Sequence, residues 1–189
     1  MGDEQLIFRP VIEQLFVLGL ADRMTPAYRA QLKTCGVDLD RLVPGYPYAN
    51  WERAVQTIPP LFPELSPAEA LHEAGRRMTV ATIESNPVGK RLLPLLKVMG
   101  IGRALRRAYS RTTEGNFNVI SFGAETPKSL EIQMSFVGAI PDLARGSIVG
   151  VGQMLGATNL RSTTVKYDAP AAVFRVTGGP RGLRDHRGR

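Results

Sequence analysis

The sequence predicts an α+β fold, in which a helical N-terminal half is followed by a ββαββ unit whose antiparallel sheet packs on helices. Apolar residues recur with helical spacing as far as Arg111, and strand-length apolar segments occur only from Asn116 onward. A chain of 189 residues with 43% hydrophobic content can bury one core and is short for two domains. We therefore predict a single domain over residues 1–177 and a disordered basic tail over residues 178–189.

The first half contains start and stop signals typical of helices. Ser66 and Glu69 form a capping-box pattern, Thr25 precedes a proline in the first helical turn, and Gly36 supplies a stop. The pair Pro59-Pro60 should end the helix that contains Trp51. The residues from 36 to 48 are expected to form a turn-rich connection. The predicted helices are Phe8–Leu20, Pro26–Cys35, Trp51–Ile58, Pro67–Ser85, Val88–Val98 and Ile101–Arg111.

The second half changes its period. Strands are predicted over Asn116–Phe122 and Leu130–Val137, separated by a turn with Pro127. A glycine-rich helix is expected from Pro141 to Gly156. Two further strands, Leu160–Tyr167 and Ala171–Thr177, flank a tight turn. This order of elements predicts two hairpins joined by a helix.

Composition excludes several classes of protein. No apolar run reaches the ~20 residues that a membrane-spanning helix needs, so no membrane span is expected. Acidic residues near the N-terminus do not resemble a secretory signal, and a cytoplasmic location is the expectation. Cys35 is the single cysteine, which leaves no internal disulfide and no cysteine zinc site.

The positive charge is concentrated in one helical segment. Residues 1–75 hold six basic and ten acidic side chains, whereas residues 76–111 hold nine basic side chains and one acidic. Arg103, Arg106 and Arg107 share one helix face, and Arg111 continues it. This face is a candidate for binding an anion, an acidic partner or a second copy of the chain. An ordinary solvated surface, neutralised in part by the acidic segment, is the alternative. No nucleic-acid-binding motif accompanies the charge, so nucleic acid is not expected as a partner.

The aromatic residues are expected to lie in the core, with one alternative. Trp51, Phe117, Phe122 and Phe136 are candidates to line an apolar pocket between the helices and the sheet, where a lipid or small hydrophobic molecule would bind.

Glycines recur in the helix that begins at Pro141. The run Gly150–Gly156 matches a dinucleotide-binding fingerprint only superficially, because no strand leads into it. Gly146, Gly150 and Gly152 are instead expected to let the helix lie close to the sheet or to a second helix, which would suit a dimer interface.

Catalytic and metal-binding patterns are missing from the sequence. The two histidines are His72, expected to face solvent, and His186 in the tail, and neither has sequence partners that form a triad or a metal site. Paired carboxylates, a phosphate-binding loop and a nucleophile elbow are also lacking. We therefore expect no enzymatic activity and no cofactor.

Several short motifs in a fixed order carry a resemblance to a known family. They are Gly19-Leu20, residues 36–40, Tyr46-Pro47 with Trp51, Phe62-Pro63, residues 68–70, residues 75–77, Gly115-Asn116 and Gly156-Ala157. Together they resemble an uncharacterised paralogous family expanded in myxobacteria. Two departures are Asn116-Phe117, where members usually have a double asparagine, and Pro59-Pro60.

The order of helices and strands is similar, by fold analogy, to four-vinyl-reductase domains, heme-nitric-oxide-binding domains and transport-particle subunits. This wider resemblance implies either a hydrophobic or heme ligand held between helices and sheet, or a dimeric assembly module. Two hypotheses follow. The first is a non-enzymatic bacterial regulatory domain that acts through protein association as a homodimer. The second is a small-molecule or lipid sensor with an apolar pocket.

Overall fold

A computed structural model describes residues 5–110, 120–126, 129–135, 137–138 and 140–178. The predicted tail, apart from Gly178, lies outside the described residues, as do Arg111, Phe117, Phe136 and His186. The helices are α1 (Arg9–Ile12), α2 (Pro26–Thr34), α3 (Tyr48–Gln56), α4 (Pro67–Ser85), α5 (Pro87–Val98), α6 (Ile101–Ser110) and α7 (Pro141–Met154). The strands are β1 (Leu6–Phe8), β2 (Gly45–Pro47), β3 (Ile120–Glu125), β4 (Ser129–Met134), β5 (Arg161–Asp168) and β6 (Ala171–Thr177).

The predicted fold class is confirmed. Helices precede a four-stranded antiparallel sheet of order β3-β4-β6-β5, which is built from two hairpins joined by α7. In the two central strands β4 and β6, alternate residues face the helices: Leu130, Ile132 and Met134 pair with Val176, Phe174 and Ala172, and all six are buried. This period of two places one apolar face of the sheet against the helical layer.

Local signals placed several helix starts and stops correctly, although α3 begins at Tyr48, three residues before Trp51. The Ser66 hydroxyl accepts the Glu69 amide while the Glu69 carboxylate accepts the Ser66 amide, which completes the predicted capping box of α4. Thr25 caps α2 by accepting the amide of Tyr28 at 3.2 Å. Gly36 has a φ of +86°, the left-handed conformation that ends a helix and that glycine adopts without strain. Helix α3 ends at Gln56, and a short 3₁₀ turn over Pro59–Leu61 follows.

The first predicted helix differs from the observed structure. Leu6–Phe8 form strand β1, which pairs antiparallel with β2 inside the segment expected to be a turn-rich connection. After α1 the chain continues as a seven-residue π-helix, Glu13–Gly19. In the sheet, β3 continues past Phe122 to Glu125 through a register shift, whereas the sequence predicted a turn there.

Two apolar clusters form the interior. The first joins the N-terminal elements with the start of α7 and includes Ile12, Phe16, Leu32, Trp51 and Val55. The second joins α6, α7 and the sheet and includes Leu105, Leu130, Ile132, Ile148 and Phe174. Helix α7 contributes Leu143 to the first cluster and Ile148 and Val151 to the second, while α4, which packs against α7, contributes Ala70 and Ala74 to the first.

Candidate functional site

The glycines of α7 pack against another helix of the same chain. A methyl group added at Gly146 would overlap the backbone carbonyl of His72, and one at Gly150 would lie 2.7 Å from the backbone oxygen of Arg76, both in α4. From the other side, a methyl group at Gly75 would overlap the carbonyl of Leu143 in α7. Gly152 lies against the side chain of Leu160. The close approach that the sequence predicted is therefore made within the chain, between α7 and α4.

The arginine face of α6 is partly used by the sheet. Arg106 donates to the Glu125 carboxylate at 2.7 Å, and its guanidinium lies 4.8 Å from the centre of the Phe122 ring. The Arg103 Nε donates to the backbone oxygen of Met99 at 3.0 Å. Arg103 and Arg107 have exposed side chains. The candidate basic face therefore keeps two exposed arginines among the described residues, with Arg106 turned to β3.

Two arginines of the basic segment, residues 76–111, form ion pairs with acidic side chains of residues 1–75. This is the neutralisation that the solvated-surface alternative predicted. The Arg77 guanidinium lies 2.9 Å from Glu73 and 3.0 Å from Asp22, and Arg76 lies 2.6 Å from Glu73. In α5, Lys90, Arg91 and Lys97 form no ion pair within the described part of the chain. Among the described residues, the positive charge without an ion pair therefore includes the three basic side chains of α5.

Helix α5 is apolar but not buried. Asn86 caps it by accepting the amides of Val88 and Gly89 at 2.9 and 3.2 Å, and Pro94 lies inside it. None of its twelve residues is buried. On its inner side, Leu93 and Leu96 are half-buried against the second apolar cluster. An amphipathic helix of this length is normally stabilised by burying its apolar face against the rest of the protein. Because no residue of α5 is fully buried, packing stabilises this helix less than it would if its leucines were buried.

A set of half-buried apolar side chains from α5, α6 and β3 packs against the second cluster. It comprises Leu93 and Leu96 of α5, Ile101 of α6, and Ile120 and Phe122 of β3, and we call these five residues the apolar wall. Phe122 pairs with the buried Ile132, so its side chain lies on the helix-facing side of the sheet. Arg106 lies over the Phe122 end and supplies a positive charge there.

The candidate pocket aromatics are not brought together. Trp51 is buried in the first cluster, where its ring meets that of Phe16 edge-on at 6.2 Å. Phe122 belongs to the apolar wall beside the second cluster. Phe117 and Phe136 lie outside the described residues. Of the four aromatic candidates, Phe122 alone is described at the interface of helices and sheet.

His72 was expected to face solvent but is half-buried on α4. Burial, and then the nearby guanidinium of Arg145, lower the pKa of His72 below its usual value. The neighbouring carboxylates are engaged elsewhere, since Asp142 lies 3.0 Å from Arg145 and Glu73 binds arginines of its own helix. No hydrogen bond to the imidazole, and no cluster of three His, Cys, Asp or Glu side chains, occurs among the residues that the structure describes. This arrangement offers neither a triad nor a metal site.

A buried polar contact between helices was not predicted. The Thr79 and Ser147 hydroxyls lie 2.7 Å apart where α4 crosses α7, and Ser147 also interacts with the hydroxyl of Tyr109 in α6. Burial raises the pKa of Tyr109, so its hydroxyl stays protonated at physiological pH. The sequence feature that could have predicted this contact is the position of Ser147 between Gly146 and Gly150 of α7. A hydroxyl placed where two helices pack closely needs a hydrogen-bond partner.

Membrane-spanning segments are not found in the part of the chain that the structure describes: none of its helices is both long and apolar enough to cross a bilayer.

Comparison with known proteins identifies a family and a fold. The family described as "Protein of unknown function (DUF2378)" matches residues 5–177. No curated protein sequence matches the chain. Solved structures of H-NOX proteins are similar in fold. One from K. algicida in the Fe(II) unliganded form has a TM-score of 0.62 at 13% identity, covering 95% of this chain and 98% of that one. One from S. oneidensis in the Fe(II)NO ligation state has a TM-score of 0.62 at 12% identity, covering 91% and 99%. At such identities the likeness concerns the fold alone.

Proposed function

The chain belongs to the DUF2378 family, and we propose that it is a non-catalytic regulatory domain that binds an apolar small molecule or lipid along the apolar wall. The observation that carries this proposal is the half-burial of all five wall residues on three elements around the second cluster. Apolar side chains that remain partly exposed at the junction of helices and sheet are the usual lining of a ligand site.

The similarity to H-NOX folds supports a sensor more than an assembly module. Those proteins are described in Fe(II) ligation states and in terms of heme distortion, so a ligand is bound within that fold. By analogy of fold, the interface of helices and sheet is the place where a ligand of this chain would lie. The expansion of the family in myxobacteria, and the diversified recognition on a shared scaffold that it would imply, stay predictions.

Heme itself does not fit the side chains that the structure describes around the apolar wall. Heme iron needs an axial ligand such as His, Cys or Tyr. In α5 and α6 that set is limited to Tyr109, whose buried hydroxyl interacts with Ser147. His72 lies on α4 beside Arg145, and Cys35 packs against the first cluster. An apolar ligand anchored at most by the Arg106 guanidinium matches the wall better than an iron porphyrin does.

Self-association, the first of the two hypotheses from the sequence, has less support. Of the glycines proposed for a dimer interface, Gly146 and Gly150 are covered by α4 and Gly152 by Leu160. Three arginines of the basic segment pair with acidic groups of the same chain. A homodimer would therefore have to use other surfaces.

Native mass spectrometry of the freshly purified protein, run beside its denatured mass, tests the proposal. We expect additional mass that disappears on denaturation. The replacement Leu96→Ser should lower the occupancy by about tenfold or more, because burying a leucine side chain contributes ~1.5–3 kcal/mol. Leu65→Ser is the matched control, since Leu65 is half-buried against the first cluster.

The results separate the hypotheses. A bare monomer that also fails to bind a fluorescent fatty-acid probe would refute ligand binding at the wall. A bare doubled mass would favour the association module. Equal loss of ligand in Leu96→Ser and Leu65→Ser would place the ligand elsewhere or indicate general destabilisation, which urea denaturation of both variants would reveal.

A further inference from the structure

The outer side of α5 combines exposed apolar side chains with unpaired positive charge. Val88, Leu95 and Val98 are 63%, 61% and 67% exposed, the three largest exposures among the large hydrophobic residues described. Their spacing of seven and three residues places them on one side of the helix. Lys90 and Lys97, also seven residues apart, form a second exposed row at the opposite edge of this outer side, and Arg91 lies next to Leu95 and Val98. Exposed apolar residues in one row usually mark an interaction surface.

The charge around this row has a single sign. The sequence contains no Asp or Glu between Glu84 and Glu114. Lys90, Arg91 and Lys97 are exposed and have no acidic partner among the described residues, and Arg103 and Arg107 of the following helix are exposed too. Any surface that covers α5 must therefore supply negative charge as well as an apolar environment.

We propose that the outer side of α5 binds the surface of an anionic lipid bilayer. Aliphatic side chains flanked by lysines along one helix are typical of helices that lie in the headgroup region, where apolar side chains enter the acyl boundary and lysines reach the phosphates. A protein interface fits less well, because lysine is depleted at the centres of protein interfaces. A nucleic acid offers nothing to the exposed valines and leucine.

This inference is independent of the proposed ligand site. The apolar wall uses the inner residues Leu93 and Leu96, whereas the lipid-binding row uses Val88, Leu95 and Val98 on the other side of the same helix. The row is exposed whether or not a ligand occupies the wall. Experiments can therefore refute ligand binding at the apolar wall without refuting lipid binding by the outer side of α5, and the reverse.

Co-sedimentation of the full chain with vesicles tests the proposal. We expect binding to vesicles of phosphatidylcholine mixed with phosphatidylglycerol, weak binding to phosphatidylcholine alone, and loss of binding as salt shortens the range of the charges. Each lysine near such a surface contributes about fivefold in affinity, so Lys90→Gln with Lys97→Gln should weaken binding by about 25-fold. Leu95→Ser should weaken it by about tenfold through lost insertion of an apolar side chain.

Matched controls come from other exposed sites. Lys166→Gln on β5 and Val43→Ser in the loop before β2 change an exposed lysine and an exposed valine away from α5, and both should bind like the unaltered protein. Circular dichroism and urea denaturation establish that all the variants fold.

Three results would overturn the inference. The first is no binding to anionic vesicles. The second is an equal effect of the α5 variants and the controls, which would indicate attraction by net charge alone. The third is a monomer–dimer equilibrium that Leu95→Ser abolishes while vesicle binding is unchanged, because a second copy would then cover this surface.

Discussion

Replacing Gly146 with alanine tests the crossing of α4 and α7, on which the arrangement of the two apolar clusters depends. The added methyl group would overlap the backbone carbonyl of His72. At neighbouring Gly150 the corresponding methyl group would lie 2.7 Å from a backbone oxygen, whereas ordinary contact begins at 3.4 Å. Backbone atoms of a helix cannot rotate aside, so the two helices must separate. Separation loosens contacts in both clusters, because α7 contributes buried residues to each.

The expected magnitude follows from two opposing effects. Overpacking of this kind costs up to about 3 kcal/mol, and alanine contributes about 1 kcal/mol more than glycine to a helix interior. The net loss in the free energy of unfolding should be about 2 kcal/mol, or a fall in Tm of about 4–8 °C for a chain of this size. Urea denaturation followed by far-UV circular dichroism measures it.

Gly89→Ala supplies the matched control. It makes the same change in helix α5, where the added methyl group meets its nearest neighbours at 3.4 and 3.5 Å, which is ordinary contact. This variant should be unchanged or up to about 1 kcal/mol more stable. If Gly146→Ala is as stable as Gly89→Ala, then α4 and α7 do not approach each other at these glycines and the reasoning fails.

Three further substitutions have expected outcomes. Ser66→Ala removes the capping box of α4 and should cost about 1 kcal/mol in urea denaturation, while Glu69→Gln, which can still accept the Ser66 amide, should cost less. Because the pKa of His72 is lowered in the folded protein, the unfolded chain takes up the proton at a higher pH, and the free energy of unfolding should fall as the pH drops below about 6.5. His72→Gln should reduce the dependence of the free energy of unfolding on pH by at most about 1.4 kcal/mol per pH unit. Ser147→Ala removes the hydroxyl that lies 2.7 Å from the buried Thr79 hydroxyl and should cost about 2 kcal/mol, whereas adding Thr79→Val should recover part of the loss in a double-mutant cycle; strict additivity of the two changes would argue against the contact.

Elements that the sequence predicted correctly depend on signals a few residues long. The capping box at Ser66, the Thr25 cap and the stop at Gly36 each involve groups within four residues of one another. Strands β1 and β2 were missed because three residues show no period, and because their pairing joins Leu6 to Pro47, far apart in the chain. The π-helix was missed because its apolar residues follow nearly the same spacing as those of an α-helix.

The candidate site was less predictable because it depends on contacts between residues that are far apart in the chain. Sequence period indicates which side of a helix is apolar but not what lies opposite it. The sequence assigned Arg106 to a free basic face. In the structure its guanidinium donates to Glu125 and lies over the Phe122 ring, and both residues are in β3, sixteen to nineteen positions further along the chain. Trp51 and Phe122 were assigned to one pocket and lie beside different clusters. In α5 the apolar character was visible in the sequence, whereas its lack of burial depends on the placement of α4, α6 and the sheet.

The unequal packing of the helices indicates where a bound molecule can act on the rest of the protein. Helices α4 and α7 touch through glycines and share a buried hydroxyl contact, so separating them disturbs both clusters at once. Helix α5 contributes no buried residue and packs against α4 and α6. Local opening is least costly where few apolar contacts are lost, so α5 should exchange its amide hydrogens before α4 and α7 do. A ligand at the apolar wall or a lipid surface on the outer row would both slow that exchange, because each adds contacts to the closed position of the same helix. Slower exchange throughout α4 and α7, with α5 unchanged, would instead place the binding site away from α5.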